Sequence, residues 1–61
     1  MDAIKVTEKA REHLKPFASF QPISARKLDG YWLVKVDVGL LEVKVLELEI
    51  EDVNGEVIRA R

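Results

Sequence analysis

The residues that could carry catalytic chemistry are few and lie far apart in the chain. The one histidine is His13, and the aliphatic hydroxyl groups belong to Thr7, Ser19 and Ser24. A catalytic triad needs a nucleophile, a base and a group that orients the base. No spacing among these residues supplies such a set, and His13 fits a half-buried or solvated position on the flank of a helix. We therefore expect no catalytic residues and no enzymatic activity.

Metal and phosphate chemistry have as little support. Carboxylates recur near the end of the chain and could offer oxygen ligands to a hard cation: Glu47, Glu49, Glu51 and Asp52. Pairing with basic residues explains them better, namely with Lys44, Arg59 and Arg61. The glycines are isolated from one another, so no phosphate-binding loop can be recognised. We expect no metal site and no cofactor.

Five basic residues suggest an alternative function. They fall in or beside predicted strands, close to Tyr31 and Trp32: Arg26, Lys27, Lys35, Arg59 and Arg61. Aromatic and basic side chains on one sheet can bind the bases and phosphates of a nucleic acid. However, ten basic and eleven acidic residues give a net charge of −1, which provides no general attraction to phosphate. Nucleic-acid binding is thus the less favoured alternative and depends on this local basic patch.

Length and composition limit the protein to one small domain. The chain has 61 residues, of which 48% are hydrophobic and 34% charged, and it has no cysteine. A domain of this size buries only about 60% of the surface that its unfolded chain exposes, so we expect a thin core without disulfides. The first residues form neither a signal-peptide core nor a membrane span, which predicts a cytoplasmic location. The composition, rich in Glu, Lys and Arg, is typical of thermophile proteins.

One helix is predicted at the start of the chain. Thr7 is a suitable N-cap, and apolar residues recur around it at helical spacing: Val6, Ala10, Leu14 and Phe17. Pro16 disfavours helical backbone at Lys15, which predicts a helix over residues 7–15. The apolar stripe continues to Phe20, so an extension of the helix to residue 19 stays open.

Strands follow the helix and predict an α+β fold. Alternating apolar residues between turn signals indicate an antiparallel meander of three to four strands, at about residues 22–28, 31–38, 41–51 and 56–61. Asp29-Gly30 predicts a type I′ hairpin turn, and Gly39-Leu40 can form a type II′ turn. These registers put Ile23, Ala25 and Lys27 on the face of Trp32. We expect the helix to pack across that face.

The apolar alternation changes phase after Val45. The apolar residues beyond this point alternate with glutamates: Leu46, Leu48 and Ile50. Either a β-bulge near Val45-Leu46 returns them to the face that the helix covers, or they lie on the opposite face. The second arrangement creates an exposed apolar patch and predicts a protein interface there: Tyr31, Leu33, Leu46, Leu48 and Ile50.

Asn54-Gly55 marks the last hairpin, for which two registers compete. A two-residue turn would place Ile58 opposite Glu51, whereas a three-residue loop over Val53, Asn54 and Gly55 places Ile58 opposite Ile50. We favour the three-residue loop, with Gly55 in a bulge. The same register gives favourable cross-strand pairs: Leu48 with Ala60, Glu49 with Arg59 and Glu47 with Arg61.

Two families resemble this chain over most of its length. The segment 48–58, which reads LEIEDVNGEVI, resembles the closing hairpin of PepSY-type domains. The segments 29–36 and 55–61, which read DGYWLVKV and GEVIRAR, are similar to the gas vesicle accessory protein O family. The first resemblance implies an inhibitory or chaperone-like module, and the second implies a role in assembly.

The residues and the resemblances point to the same class of function. We expect a non-catalytic protein-interaction or assembly module that uses a face or an edge of its sheet. Its partner is expected to be a protein, either another chain or a second copy of this one in a homodimer, and no membrane is expected to take part.

Overall fold

The computed structural model describes residues 1–61 as a single helix packed on one sheet. The elements in chain order are α1 (Ala3–His13), β1 (Gln21–Lys27), β2 (Tyr31–Asp37), β3 (Val45–Glu51) and β4 (Val57–Ala60). The four strands form an antiparallel sheet in the order β1-β2-β3-β4. The predicted α+β fold, a helix followed by an antiparallel meander, is confirmed. The helix is too short and too polar to span a membrane.

The helix begins earlier than the sequence pattern predicts. Asp2 is the N-cap, and its carboxylate accepts a hydrogen bond from the backbone N–H of Lys5 at 2.8 Å. Thr7, the predicted N-cap, lies inside the helix, where its hydroxyl donates to the Ala3 carbonyl at 2.7 Å. Both residue types can cap a helix. Asp2 takes this role because four further residues can then join the helix.

The helix also ends earlier than predicted, at His13 rather than at residue 15 or 19. The Leu14 N–H still donates to the Ala10 carbonyl at 3.0 Å, and a turn then leads to Phe17, whose N–H donates to the Leu14 carbonyl at 3.0 Å. Pro16 explains this end, since the residue before a proline avoids helical backbone.

The first hairpin has the predicted register but a different turn. The Leu28 N–H donates to the Tyr31 carbonyl at 2.8 Å, which confirms the two-residue connection. Gly30 has a φ of 85°, whereas Asp29 has no positive φ. A type I′ turn needs a positive φ at both positions, so that prediction is wrong, and the single positive φ at the second position is typical of type II.

The connection between β2 and β3 is a loop rather than the predicted Gly39-Leu40 turn. Strand β2 ends at Asp37 and β3 begins at Val45, whereas the sequence predicted a strand from residue 41. The Val38 N–H donates to the Lys44 carbonyl at 2.9 Å and closes this loop. Gly39 has no positive φ, which a type II′ turn would require of it.

This longer loop explains the change of phase in the apolar pattern. The register pairs Val34 with Leu48 and Trp32 with Ile50, without a bulge in β3 against β2. Leu46, Leu48 and Ile50 therefore lie on the face that the helix covers, and the predicted bulge near Val45-Leu46 is absent. The extra residues that shift the phase are in the loop, not in the strand.

The core lies between the helix and this face of the sheet. Nine apolar side chains are buried: Val6, Ala10, Leu14, Trp32, Val34, Val36, Val38, Leu48 and Ile50. Ala25 and Leu46 are half-buried and pack against this core. Ile23 and Ile58 are exposed instead. Each fully buried aliphatic side chain stabilises the fold by roughly 1.5–3 kcal/mol.

Bulges in both outer strands account for the two exposed isoleucines. The register of β1 shifts between Pro22 and Ser24, so Ile23 is the extra residue there. The register of β4 shifts so that Ile50 pairs with Val57, and the predicted pairing of Ile50 with Ile58 is wrong.

The remaining pairs of the last hairpin are confirmed. Leu48 pairs with Ala60 and Glu49 pairs with Arg59. Glu47 and Arg61 exchange two backbone hydrogen bonds, at 2.8 and 3.0 Å. Gly55 has a positive φ of 73°. The Glu51 N–H donates to the Glu56 carbonyl at 2.8 Å, so the loop has four residues, 52–55, rather than the predicted three.

Candidate functional site

Several exposed apolar side chains lie close together in the connection between β2 and β3. We call residues 39–44 the apolar loop. Leu40 is 73% exposed, Leu41 99% and Val43 77%. Val45, which follows the loop in β3, is 47% exposed. Three large apolar side chains within four residues are thus presented to solvent at one end of the sheet.

The backbone of the apolar loop is held closed although its side chains are exposed. One carboxylate oxygen of Asp37 accepts hydrogen bonds from the backbone N–H groups of Gly39, at 2.9 Å, and of Lys44, at 3.1 Å. These two hydrogen bonds lower the pKa of the Asp37 carboxyl below its ordinary value, against a smaller opposing effect of desolvation. The ionised carboxylate therefore fastens both ends of the loop.

Gly39 allows the close approach of the two ends. A Cβ atom at this position would overlap the Glu42 carbonyl and would meet the Lys44 backbone nitrogen at 2.8 Å. Real Cβ atoms essentially never come this close to other heavy atoms. The loop can close in this way only because residue 39 has no side chain.

Two charged residues flank Val43 in the loop. The Lys44 ammonium lies over the ring of Phe17, 5.4 Å from its centroid, a distance at which a cation is attracted to the aromatic face. The Glu42 carboxylate lies between exposed apolar side chains and takes part in no hydrogen bond or ion pair. Glu42 is free to pair with a cation of a binding partner.

The five residues of the predicted interface do not share one face of the sheet, so that prediction is wrong in its geometry. Tyr31 and Leu33 do lie on the face opposite the helix, where they are half-buried and pair with Glu51 and Glu49. Their three predicted companions, Leu46, Leu48 and Ile50, lie beneath the helix instead, and the last two are fully buried. The open face therefore carries a row of glutamates from β3 in place of an apolar patch.

The predicted basic patch is divided between the two faces. Lys27 pairs with Trp32 in the register, on the helix side, whereas Arg26 pairs with Leu33 on the open face. Lys35 and Arg59 lie on either side of the glutamate row, and Arg61 pairs with Glu47 at its end.

Two of the basic side chains on the open face are already paired. The Lys35 ammonium lies 4.0 Å from the Glu47 carboxylate, and the Arg59 guanidinium lies 3.8 Å from that of Glu49. The five basic residues therefore do not make one continuous positive surface for a nucleic acid.

A cluster of polar groups surrounds Asp52, at the end of the β2–β3 hairpin opposite the apolar loop. The Trp32 indole N–H donates to Asp52 Oδ1 at 2.7 Å. The Lys27 ammonium lies 3.4 Å from Oδ2, and the Met1 ammonium lies 3.4 Å from Oδ1. The hydrogen bond from Trp32, and after it the charges of Lys27 and Met1, lower the pKa of Asp52.

Both outer edges of the sheet carry features that oppose the addition of another strand. β1 contains Pro22 and a bulge at Ile23, followed by Arg26 and Lys27. β4 has only four residues and also contains a bulge. Proline, bulges, charges and short strands are the means by which proteins protect exposed edges.

The remaining surface offers little chemistry. The described residues contain no group of three or more His, Asp or Glu side chains placed to hold a metal ion. His13 is exposed on α1. A shallow, open groove beside the helix is lined by Ala3, Ile4, Thr7, Glu8, Arg11 and Pro22. His13 forms no hydrogen bond with any of the candidate nucleophiles, which are Thr7, Ser19 and Ser24.

Sequence reasoning missed the apolar loop because it divided these residues between a turn and a strand. The signal was nevertheless present, since Leu40 and Leu41 are adjacent apolar residues. Neighbouring residues of a strand point to opposite faces, so a strand would have exposed one of the two. The double hydrogen bond of Asp37 left no comparable signal in the sequence.

Comparison of the chain with protein-family models, with curated proteins and with solved structures finds no significant match. The resemblances to PepSY-type domains and to the gas vesicle accessory protein O family therefore stay predictions. The candidate site rests on the geometry of the apolar loop.

Proposed function

We propose that this protein is a non-catalytic protein-interaction module that binds its partner through the apolar loop. One observation carries the proposal: Leu40, Leu41 and Val43 are 73%, 99% and 77% exposed on a closed loop. Adjoining exposed apolar side chains commonly mark interaction surfaces. Their burial against a partner removes apolar area from water, which is the main driving force of most protein association.

The closed backbone supports this role. Asp37 and the hydrogen bond between Val38 and Lys44 hold the loop in one arrangement before any partner arrives. A surface that is ordered in advance loses less conformational entropy when it binds. The fixed loop can therefore present its side chains to a partner at a lower entropic cost than a mobile segment could.

A protein fits this surface better than a membrane or a nucleic acid does. Glu42 stands between Leu41 and Val43, so insertion of the loop into lipid would carry a carboxylate toward the acyl chains. Because Lys44 is accompanied by Glu42, the loop also lacks the net positive charge that attracts phosphate groups. A protein partner can accommodate both the apolar side chains and this one carboxylate.

Site-specific cross-linking tests the proposal, because the chain has no cysteine of its own. Leu41→Cys carries a photoactivatable cross-linker on the loop, and Ser24→Cys carries it on the open face as the matched control. We expect cross-links from position 41, and not from position 24, to one apolar protein surface identified by mass spectrometry in an extract of the source cells. The identified protein, purified, should bind the wild-type chain.

The binding assay then decides the outcome. Leu41→Asp should weaken binding of the purified partner by about tenfold or more, because it buries a charge in an apolar contact. Arg26→Glu, on the open face, should leave the affinity within about twofold. Equal losses from both substitutions, or cross-links of equal yield from positions 41 and 24, would contradict the proposal.

A further inference from the structure

We infer that the apolar loop pairs with the apolar loop of a second copy of this chain. The inference rests on the proposed function, since it names the partner of the same surface. Its basis is the order of residues 41–45, which reads Leu-Glu-Val-Lys-Val. About Val43 this order is apolar, acidic, apolar, basic, apolar.

This order is self-complementary when the segments 41–45 of two copies align antiparallel to each other. A two-fold axis through Val43 brings Glu42 of each copy opposite Lys44 of the other, and Leu41 opposite Val45. This is the arrangement of an isologous interface, in which one surface meets the same surface of its copy. Two ion pairs and three apolar contacts then form at once.

The side chains that this pairing needs are available. Leu41, Val43 and Val45 are exposed, and the Glu42 carboxylate has no partner within the chain. The Lys44 ammonium lies over the face of Phe17 and forms no ion pair, so its positive charge has no anionic partner within the chain. The hydrogen bonds that close the loop use the backbone of Lys44 and not its side chain.

The other surfaces of the molecule are less suited to self-association. The glutamate row of the open face is flanked by Lys35 and Arg59, which are paired with it inside one chain. Both sheet edges are protected, by Pro22 and a bulge in β1 and by the short, bulged β4. In contrast to these surfaces, residues 41–45 combine three exposed apolar side chains with two charged side chains that form no ion pair.

The size of the loop predicts a weak dimer. Its exposed apolar side chains supply roughly 200–400 Å² in each copy, so two copies bury less than the approximately 1,200 Å² of the smallest stable interfaces. We expect rapid exchange and a dissociation constant on the order of 100 μM or higher. Association should thus appear only at high protein concentration.

Charge reversal tests the pairing. Glu42→Lys makes both charged positions basic, and Lys44→Glu makes both acidic, so each variant should associate at least tenfold more weakly than the wild type. An equimolar mixture of the two should regain association, because each basic position then meets an acidic one. The double variant Glu42→Lys/Lys44→Glu should also associate with itself. Analytical ultracentrifugation up to about 1 mM follows all five samples, including the wild type, and circular dichroism confirms that each is folded.

Three results would overturn the inference. They are a wild-type chain that stays monomeric throughout this concentration range, self-association that single charge reversals leave unchanged, and a mixture of the two variants that fails to associate. These results do not decide the proposed function. If cross-linking from position 41 identifies a different protein, the proposed function stands and only the pairing of two copies is excluded.

Discussion

Two aspartate carboxylates fasten the connections at opposite ends of the central hairpin. Asp37 accepts two backbone hydrogen bonds within the apolar loop, and Asp52 accepts the indole hydrogen bond of Trp32. In both residues the hydrogen bonds stabilise the ionised form and lower the pKa from its ordinary value of 3.8. A carboxyl group with a lowered pKa stabilises the folded state above its unfolded pKa, and this contribution is lost as the pH falls through the folded pKa.

For Asp37 we expect this loss to appear as a fall in the free energy of unfolding at acidic pH. Asp37→Asn keeps an oxygen that can accept the hydrogen bonds of Gly39 and Lys44 but does not titrate. The free energy of unfolding of the wild type should therefore fall more steeply below about pH 5 than that of the variant. Urea unfolding at a series of pH values measures both. Identical slopes in the two proteins would show that Asp37 does not fasten the loop.

For Asp52 the reporter is Trp32, the one tryptophan of the chain. Protonation of Asp52 weakens its hydrogen bond with the indole, so tryptophan emission should change as the pH falls below 3.8, the ordinary value of this carboxyl. Asp52→Asn should abolish this change, whereas Asp37→Asn should leave it intact. Fluorescence should be recorded where circular dichroism still reports a folded protein. A transition that persists in Asp52→Asn would exclude the indole contact as its source.

At the scale of the elements, the loop between β2 and β3 decides which face each residue of β3 occupies. A shift of one residue in register moves every side chain to the other face. Because residues 39–44 form a closed loop instead of a two-residue turn, Leu48 faces Val34 and Ile50 faces Trp32. The same loop exposes Leu40, Leu41 and Val43, so one connection determines both the core and the candidate site.

Gly39→Ala tests the closure of this loop. Its Cβ would overlap the Glu42 carbonyl, and the displacement of backbone should cost about 1–3 kcal/mol of unfolding free energy. Leu40→Ala is the matched control, since a change at an exposed position should stay within about 0.5 kcal/mol. Thermal unfolding of the two variants compares them. A Gly39→Ala variant as stable as the wild type would mean that the loop does not close against Glu42.

At the scale of the whole molecule, the core is small, so truncation of one core side chain is expected to lower the free energy of unfolding strongly. Nine side chains are buried in a chain of 61 residues. A domain of this length has a total stability of only about 3–9 kcal/mol. A single large cavity therefore removes a substantial share of the free energy that keeps the chain folded.

Leu48→Ala provides the corresponding test. Leu48 is fully buried, so its truncation should cost about 2–5 kcal/mol and leave much of the chain unfolded at room temperature. Leu41→Ala makes the same chemical change at a side chain that is 99% exposed, and should cost less than about 0.5 kcal/mol. Circular dichroism and urea unfolding distinguish the two. A reversed order would place Leu48 on the open face.

Local pattern determined the elements of this protein. The period of the apolar residues predicted one helix and a meander, and Asp29-Gly30 specified the first hairpin register, because turn geometry and alternation depend on neighbouring residues. Asp2 and Thr7 are both good caps, so local preference alone could not choose between them. Tertiary structure decided what depends on distant atoms: the face on which Leu46, Leu48 and Ile50 lie, since they pack there against α1 and β2. Packing beneath α1 selected that face because burial of these residues outweighs the exposure of the loop's leucines.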